Sequence, residues 1–104
     1  MVDKRKYPRK PFVTQVECNS GSFLGFSRIV GAGGMFIETN EPVSVGSKVK
    51  LAFYFDNDGP IIQVTAEVRY VVTKLGIGLQ FVDLSPSDQS RIEVYTTKEE
   101  ADLL

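Results

Sequence analysis

The chain has 104 residues, of which 42% are hydrophobic and 24% are charged, and this indicates a single globular domain, residues 1–104, with a modest core. It contains no histidine and one cysteine, which excludes Ser–His and Cys–His catalytic pairs, zinc sites built on His or Cys, and an internal disulfide. Its carboxylates form no recognisable acid–base motif. We therefore predict that the protein is not an enzyme and holds no metal or cofactor.

The net charge of −1 is distributed unevenly along the chain. Residues 1–10 carry five Lys/Arg and one Asp, a net charge of +4, whereas residues 11–104 carry seven Lys/Arg and twelve Asp/Glu, a net charge of −5. This asymmetry argues against a protein that coats nucleic acid, but it is compatible with a local anion-binding site. A solvated basic terminus is the simpler interpretation of the same charges.

No apolar run approaches the roughly 20 residues that a membrane-spanning helix requires, and the N-terminus lacks a signal-peptide core. We therefore expect a cytoplasmic protein without membrane insertion.

The basic segment at residues 4–10 shows neither the alternation of a strand nor the apolar stripe of a helix. Pro8 disfavours a helical conformation of the residue before it, so we predict an extended or turning arm over residues 1–11. Arg5 and Arg9 lie about 13 Å apart in an extended chain, which allows them to hold one ligand from two sides. The arginine side chain suits such a role because it forks onto phosphate and stacks on flat rings.

Strand-like segments follow the arm, separated by turn residues. They span residues 12–18, 22–30, 35–39, 48–55, 61–72 and 76–81. Residues 19–21, Asn-Ser-Gly, predict a turn, and so do residues 56–60, which lack the remaining ligands of a calcium loop. Gly25, inside a strand, predicts a bulge or a close backbone approach. Cys18 lies in a strand and is predicted to be a small buried hydrophobe.

A helix is predicted to follow the last strand. Ser85 is a natural N-cap and Pro86 suits the first helical position, so we place the helix at residues 85–96. Ile92 and Tyr95 would share one face of this helix and close one end of the sheet. Six short strands before one helix predict a mainly all-β fold, a six-stranded antiparallel β-barrel over residues 12–83 with a C-terminal α-helix.

Residues 31–34, Gly-Ala-Gly-Gly, connect two of the predicted strands. They lack the Gly-Lys-Ser/Thr end of a P-loop and precede a strand, which argues against a dinucleotide fingerprint. We predict a strand connection that needs positive φ. Backbone amides without side chains can also approach an anion closely, so the same residues could line an anion site.

These features together resemble the PilZ domain family, from Arg5 to about Tyr95. The resemblance rests on the Arg-x-x-x-Arg arm, on a Gly-Gly turn that runs into Met-Phe-Ile, and on Gly-Ile-Gly-Leu-Gln-Phe-Val-Asp-Leu-Ser before the helix. It implies the same barrel and a receptor for cyclic di-GMP that relays this second messenger to a partner protein in motility, adhesion or polysaccharide output. The implied nucleotide-binding residues are Arg5, Arg9, Gly31, Gly33 and Gly34, with electrostatic support from Lys4, Lys6 and Lys10.

The second part of the family's binding signature, Asp/Asn-x-Ser-x-x-Gly, is incomplete in this chain. Counting back from Gly34, Ile29 occupies the acidic or amide position and Gly31 occupies the serine position. Each lost hydrogen bond costs on the order of 1–3 kcal/mol, enough to weaken binding substantially. The alternative function is therefore a nucleotide-free interaction module in motility or polarity regulation. A barrel for single-stranded nucleic acid is disfavoured, because no basic and aromatic residues alternate along the strands.

Overall fold

The computed structural model describes residues 8–56 and 59–97. Within these ranges the chain forms seven strands and one helix. The strands are β1 (Arg9–Pro11), β2 (Gln15–Cys18), β3 (Phe23–Gly31), β4 (Gly34–Glu38), β5 (Lys48–Phe53), β6 (Ile62–Val72) and β7 (Gly76–Phe81), and the helix is α1 (Pro86–Thr97).

Strands β2 to β7 close into a barrel. Antiparallel pairing runs in the order β3, β2, β5, β6, β7, β4, and β4 returns to β3 to complete the ring. The short strand β1 pairs with the end of β3 beyond the part that pairs with β2. The predicted six-stranded antiparallel barrel with a C-terminal helix is therefore confirmed.

The first predicted strand, residues 12–18, begins three residues too early, because residues 12–14 form a break between β1 and β2. β1 ends at Pro11 and β2 begins at Gln15. Ser27 fills the break between them: its hydroxyl donates to the Phe12 carbonyl oxygen at 2.6 Å and accepts from the Thr14 amide at 2.9 Å. Arg9–Pro11 lie within the predicted arm, but in the structure they belong to the sheet.

Replacing Ser27 with alanine should lower the free energy of unfolding by about 1–3 kcal/mol, because the bonded Thr14 amide and Phe12 carbonyl would lose a partner. The Ser27 side chain is fully buried, so water cannot easily take its place. Urea denaturation followed by circular dichroism measures the change. Ser90→Ala, at an exposed position of α1, is the control and should stay within about 0.5 kcal/mol of the wild type. A Ser27→Ala loss no larger than that control would contradict the bridging role.

Apolar side chains from every barrel strand, joined by Ile92 of the helix, fill the barrel interior. Cys18 is one of them and is fully buried. Burial raises the pKa of its thiol to about 12, so the group stays protonated at neutral pH. The prediction that Cys18 is a small buried hydrophobe is confirmed.

The helix α1 begins as predicted. The Ser85 hydroxyl accepts a hydrogen bond from the Asp88 amide at 3.1 Å, which is the N-cap arrangement. Ile92 is fully buried in the core, and Tyr95 packs its ring against Phe12 with the centroids 5.9 Å apart. The helix thereby covers the part of the barrel next to β1 and β3. No helix among residues 8–56 and 59–97 has the length and apolar character needed to cross a membrane.

Two turn predictions have different outcomes. Residues 19–21 do form a turn, with positive φ at Asn19, Ser20 and Gly21. The prediction for residues 56–60 falls partly outside the described residues. Gly25 confirms a close approach, since an added Cβ would lie 3.0 Å from the Glu38 carbonyl oxygen. The bulge in β3 lies elsewhere, between Ser27 and Ile29.

The prediction of positive φ for the glycine hairpin at residues 31–34 is wrong. In the described part of the chain, glycines with positive φ are Gly21 and Gly46. Gly31 instead pairs with Gly34 across a two-residue turn, Ala32 and Gly33. Close approach explains the glycines here: a Cβ at Gly34 would lie 2.0 Å from the Leu79 carbonyl oxygen, a distance that no side chain can adopt.

Candidate functional site

Strand β1 places Arg9 directly beside the glycine hairpin. The register pairs Arg9 with Gly31, and Gly31 with Gly34 on the next strand. Val30, the residue between Ile29 and Gly31, is fully buried in the core. Because side chains alternate along a strand, Gly31 and its cross-strand partners face outward. The structure therefore brings together the predicted site residues Arg9, Gly31 and Gly34 on the outer face of the barrel.

Gly31 allows the backbone of β1 to lie close against β3. A Cβ at this position would lie 2.5 Å from the Pro8 carbonyl oxygen and 3.1 Å from the Arg9 Cγ. A serine, which the family signature places here, would therefore force β1 to shift. Gly31 therefore has two effects. It allows β1, the base of the arm, to lie close against the barrel, and it lacks the polar side chain of the signature serine.

The base of the arm is also attached to the helix. The Tyr95 hydroxyl donates a hydrogen bond to the Pro11 carbonyl oxygen at 2.6 Å. The Lys10 Nζ lies 5.5 Å from the centroid of the Tyr95 ring, within the range of a cation–π interaction. Lys10 thus extends towards α1, unlike its neighbour Arg9. The other predicted arm residues, Lys4, Arg5 and Lys6, lie outside the described residues.

Ile29 belongs to an apolar row on the outer face, two residues before Gly31. It is half-buried and pairs with Pro11 on one side and Phe36 on the other. The register continues from Phe36 to Gly78 and from Gly78 to Tyr70. We call the four side chains of this line the outer apolar row; they are Pro11, Ile29, Phe36 and Tyr70.

The aromatic end of the outer apolar row is a stacked pair. The Phe36 and Tyr70 rings have centroids 6.2 Å apart and an interplanar angle of 24°. A Cβ at Gly78 would lie 2.2 Å from the Tyr70 ring, so the ring occupies the space above this glycine. Tyr70 nevertheless remains 45% exposed. Sequence reasoning missed both aromatic residues, because the run Met35-Phe36-Ile37 is apolar throughout and does not show which side chain faces outward.

Two arginines flank the outer apolar row, and both have partners. Arg28 forms an ion pair with Glu38, and the Arg69 guanidinium donates to the Gln80 side-chain oxygen. Both pairs lie on exposed parts of the barrel, where such contacts contribute little stability. They do, however, occupy these cations, so Arg9 is the better placed of the three to bind an anion beside the hairpin.

The barrel, its glycine hairpin and the arginine-bearing first strand define a PilZ domain. The PilZ domain model matches residues 3–98, and the chain therefore belongs to the PilZ domain family. Domains of this family are regulatory and binding modules. Comparison with curated protein sequences finds no match.

Several solved structures share the fold. The Bacillus subtilis inhibitor of motility (MotI/DgrA) is 18% identical with a TM-score of 0.83, over 97% of this chain and 53% of that one. The PilZ domain of Escherichia coli YcgR with c-di-GMP is 16% identical with a TM-score of 0.68, over 97% and 95% of the two chains. The PilZ domain of CeSA from a cellulose-synthesizing bacterium is 16% identical with a TM-score of 0.55, over 85% and 93%. This chain thus spans about half the length of the MotI/DgrA chain.

Proposed function

We propose that the protein is a receptor for cyclic di-GMP, which binds on the outer face formed by β1 and the glycine hairpin. The observation that carries this proposal is the register that sets Arg9 beside Gly31 and Gly34. The fold is shared with the YcgR PilZ domain, whose structure was solved with c-di-GMP. Because the ligand is a bacterial second messenger, we expect the protein to act in the cytoplasm.

The chemistry of this face suits a ligand with two phosphates. Arg9 is exposed, and Arg5 precedes it by four residues, so two guanidinium groups can fork onto phosphate oxygens or stack on bases. Gly33, in the turn of the hairpin, is partly exposed and carries no side chain, so an anion can approach its backbone, whereas Gly31 and Gly34 are buried and let β1 and β7 pack closely beside the hairpin. Lys4 and Lys6 add to the net charge of +4 in residues 1–10, which attracts an anionic ligand.

A ligand bound at this face can affect the position of the helix through the backbone of β1. Pro11 accepts the Tyr95 hydrogen bond, and Phe12 packs against the same ring. A ligand that draws Arg9 towards itself would therefore change the position of β1 relative to α1. We propose that a partner protein reads this change and converts it into a motility, adhesion or polysaccharide response.

Isothermal titration calorimetry of the wild-type protein with cyclic di-GMP tests the proposal. We expect saturable heat in the micromolar range at low ionic strength. The affinity should fall as salt is added, because exposed charges are screened within about 10 Å at 0.1 M salt. Absence of heat at several hundred micromolar ligand, at low salt, would contradict the receptor function.

A nucleotide-free interaction module is the second candidate, and the outer apolar row favours it. Ile29 offers no hydrogen bond, and exposed apolar side chains extend the same face: Leu24 is 49% and Phe26 is 52% exposed. Exposed apolar patches often mark partner surfaces. Ile29→Asp separates the two functions, because an added carboxylate restores the signature's acidic position and leaves the close contact between Gly31 and β1 unchanged. Binding that appears only in Ile29→Asp would favour the interaction module for the wild type.

A further inference from the structure

We infer that the outer apolar row stacks against one base of the nucleotide, and that the protein consequently binds guanine and adenine dinucleotides with similar affinity. The inference rests on the proposed function, in which the phosphates are held at Arg9. It adds a base-binding surface, made chiefly by Phe36 and Tyr70, and a consequence for ligand selectivity.

The distances on the outer face match this arrangement. Phe36 lies two strands from Arg9, across β3, and one row further along the strands. With strands about 4.8 Å apart and about 3.4 Å per residue, the two Cα positions are separated by roughly 12 Å. If Arg9 holds a phosphate that lies between Arg9 and Phe36, a base of the same nucleotide can reach the aromatic pair. The same ligand can therefore contact both ends of the face.

The aromatic pair presents a flat, accessible surface. Gly78 lets the Tyr70 ring lie over the sheet instead of projecting from it, and the ring is held there by its stacking on Phe36. A ring that is already fixed in place loses little conformational freedom when a base stacks on it. Tyr70 is 45% exposed, so the surface is available to a ligand.

The chemistry of the row explains why selectivity should be low. Guanine and adenine differ in the hydrogen-bonding groups at their edges, whereas both offer a similar flat face for stacking. Strong discrimination requires buried polar groups that pair with one base and stay unpaired with the other. Pro11, Ile29 and Phe36 carry no polar side-chain atom, and the Tyr70 hydroxyl can either donate or accept. Because Ile29 offers no hydrogen bond to a base edge, we expect this face to bind a base by stacking and not by recognition of its edge.

Calorimetric titrations with cyclic di-GMP and cyclic di-AMP test the inference. We expect wild-type affinities for the two ligands within about tenfold of each other. Tyr70→Ala should weaken both by about 5- to 150-fold, the range that corresponds to 1–3 kcal/mol of stacking per base. Tyr70→Phe keeps the ring and should stay within about threefold of the wild type. Tyr54→Ala is the matched control. Tyr54 is 66% exposed, but it follows β5, which β2 separates from β3 and the outer apolar row.

Each other outcome has one meaning. If the wild type binds cyclic di-GMP more than about tenfold more tightly than cyclic di-AMP, polar groups discriminate between the bases, and the inference is overturned while the receptor function stands. The same holds if Tyr70→Ala, folded by circular dichroism, binds as tightly as the wild type. If neither nucleotide binds to the wild type, the proposed function itself fails, and the inference fails with it.

Discussion

Alanine at Gly34 or at Gly76 is expected to lower the free energy of unfolding by about 3 kcal/mol or more, the upper end of the cost of overpacking. A Cβ at Gly34 would lie 2.0 Å from the Leu79 carbonyl oxygen, and one at Gly76 would lie 2.1 Å from the Ile37 carbonyl oxygen. Both obstacles are backbone atoms, so β4 and β7 would have to separate. For a domain of this size the loss corresponds to a fall in Tm of about 12 °C or more.

Gly21→Ala is the control that distinguishes steric overlap of the new Cβ with the neighbouring backbone from the strain of a positive φ. Gly21 has a φ of +88° but open space around its Cβ position, with nothing within 4 Å. The alanine there should cost only about 1–2 kcal/mol. Thermal unfolding of the three variants by circular dichroism makes the comparison. If Gly34→Ala is no less stable than Gly21→Ala, the close approach of β4 and β7 at Gly34 is wrong.

The double variant Arg5→Ala, Arg9→Ala should bind cyclic di-GMP at least about 100-fold more weakly than the wild type. Hydrogen bonds to charged groups contribute about 1.5–3 kcal/mol each, and two losses of this size exceed a factor of 100. Arg9→Lys keeps the charge but loses the planar fork, so it should recover only part of the affinity. Calorimetry at fixed low salt measures all three proteins.

A second double variant, which also removes two positive charges but at a distance from the proposed site, is the control for the loss of affinity. Lys48 and Lys50 are exposed on β5, which does not pair with β1, β3 or β4. Lys48→Ala combined with Lys50→Ala should therefore reduce binding only slightly, through the general field of the protein. Equal losses in the two double variants would show that attraction is non-specific and that Arg5 and Arg9 do not contact the ligand.

The barrel could be predicted from the sequence because its signals are local. Alternating apolar residues and turn residues placed most strand boundaries within one or two positions, and β7 was predicted at its observed bounds, Gly76–Phe81. Ser85 and Pro86 located the start of the helix because capping depends on residues that are adjacent in sequence.

The features that were missed depend on contacts between distant residues. The break between β1 and β2 exists because Ser27, thirteen residues after Thr14, bonds to the interrupted backbone. The glycines of the hairpin were assigned to positive φ, but Gly34 is required by Leu79 of another strand. The Phe36–Tyr70 pair joins two strands that are not neighbours in the barrel, across Gly78. Propensity and periodicity carry no information about such partners.

Chemical-shift mapping with cyclic di-GMP on ¹⁵N-labelled protein tests directly whether the nucleotide binds at β1 and the glycine hairpin. We expect the largest amide shifts at Arg9 and Lys10, from Ile29 to Gly34 and on the helix near Tyr95, whose hydroxyl bonds to the Pro11 carbonyl oxygen. Residues of β5, Lys48–Phe53, should be unaffected. Shifts centred on β5, or the absence of any shift at millimolar ligand, would contradict a nucleotide site at β1 and the glycine hairpin.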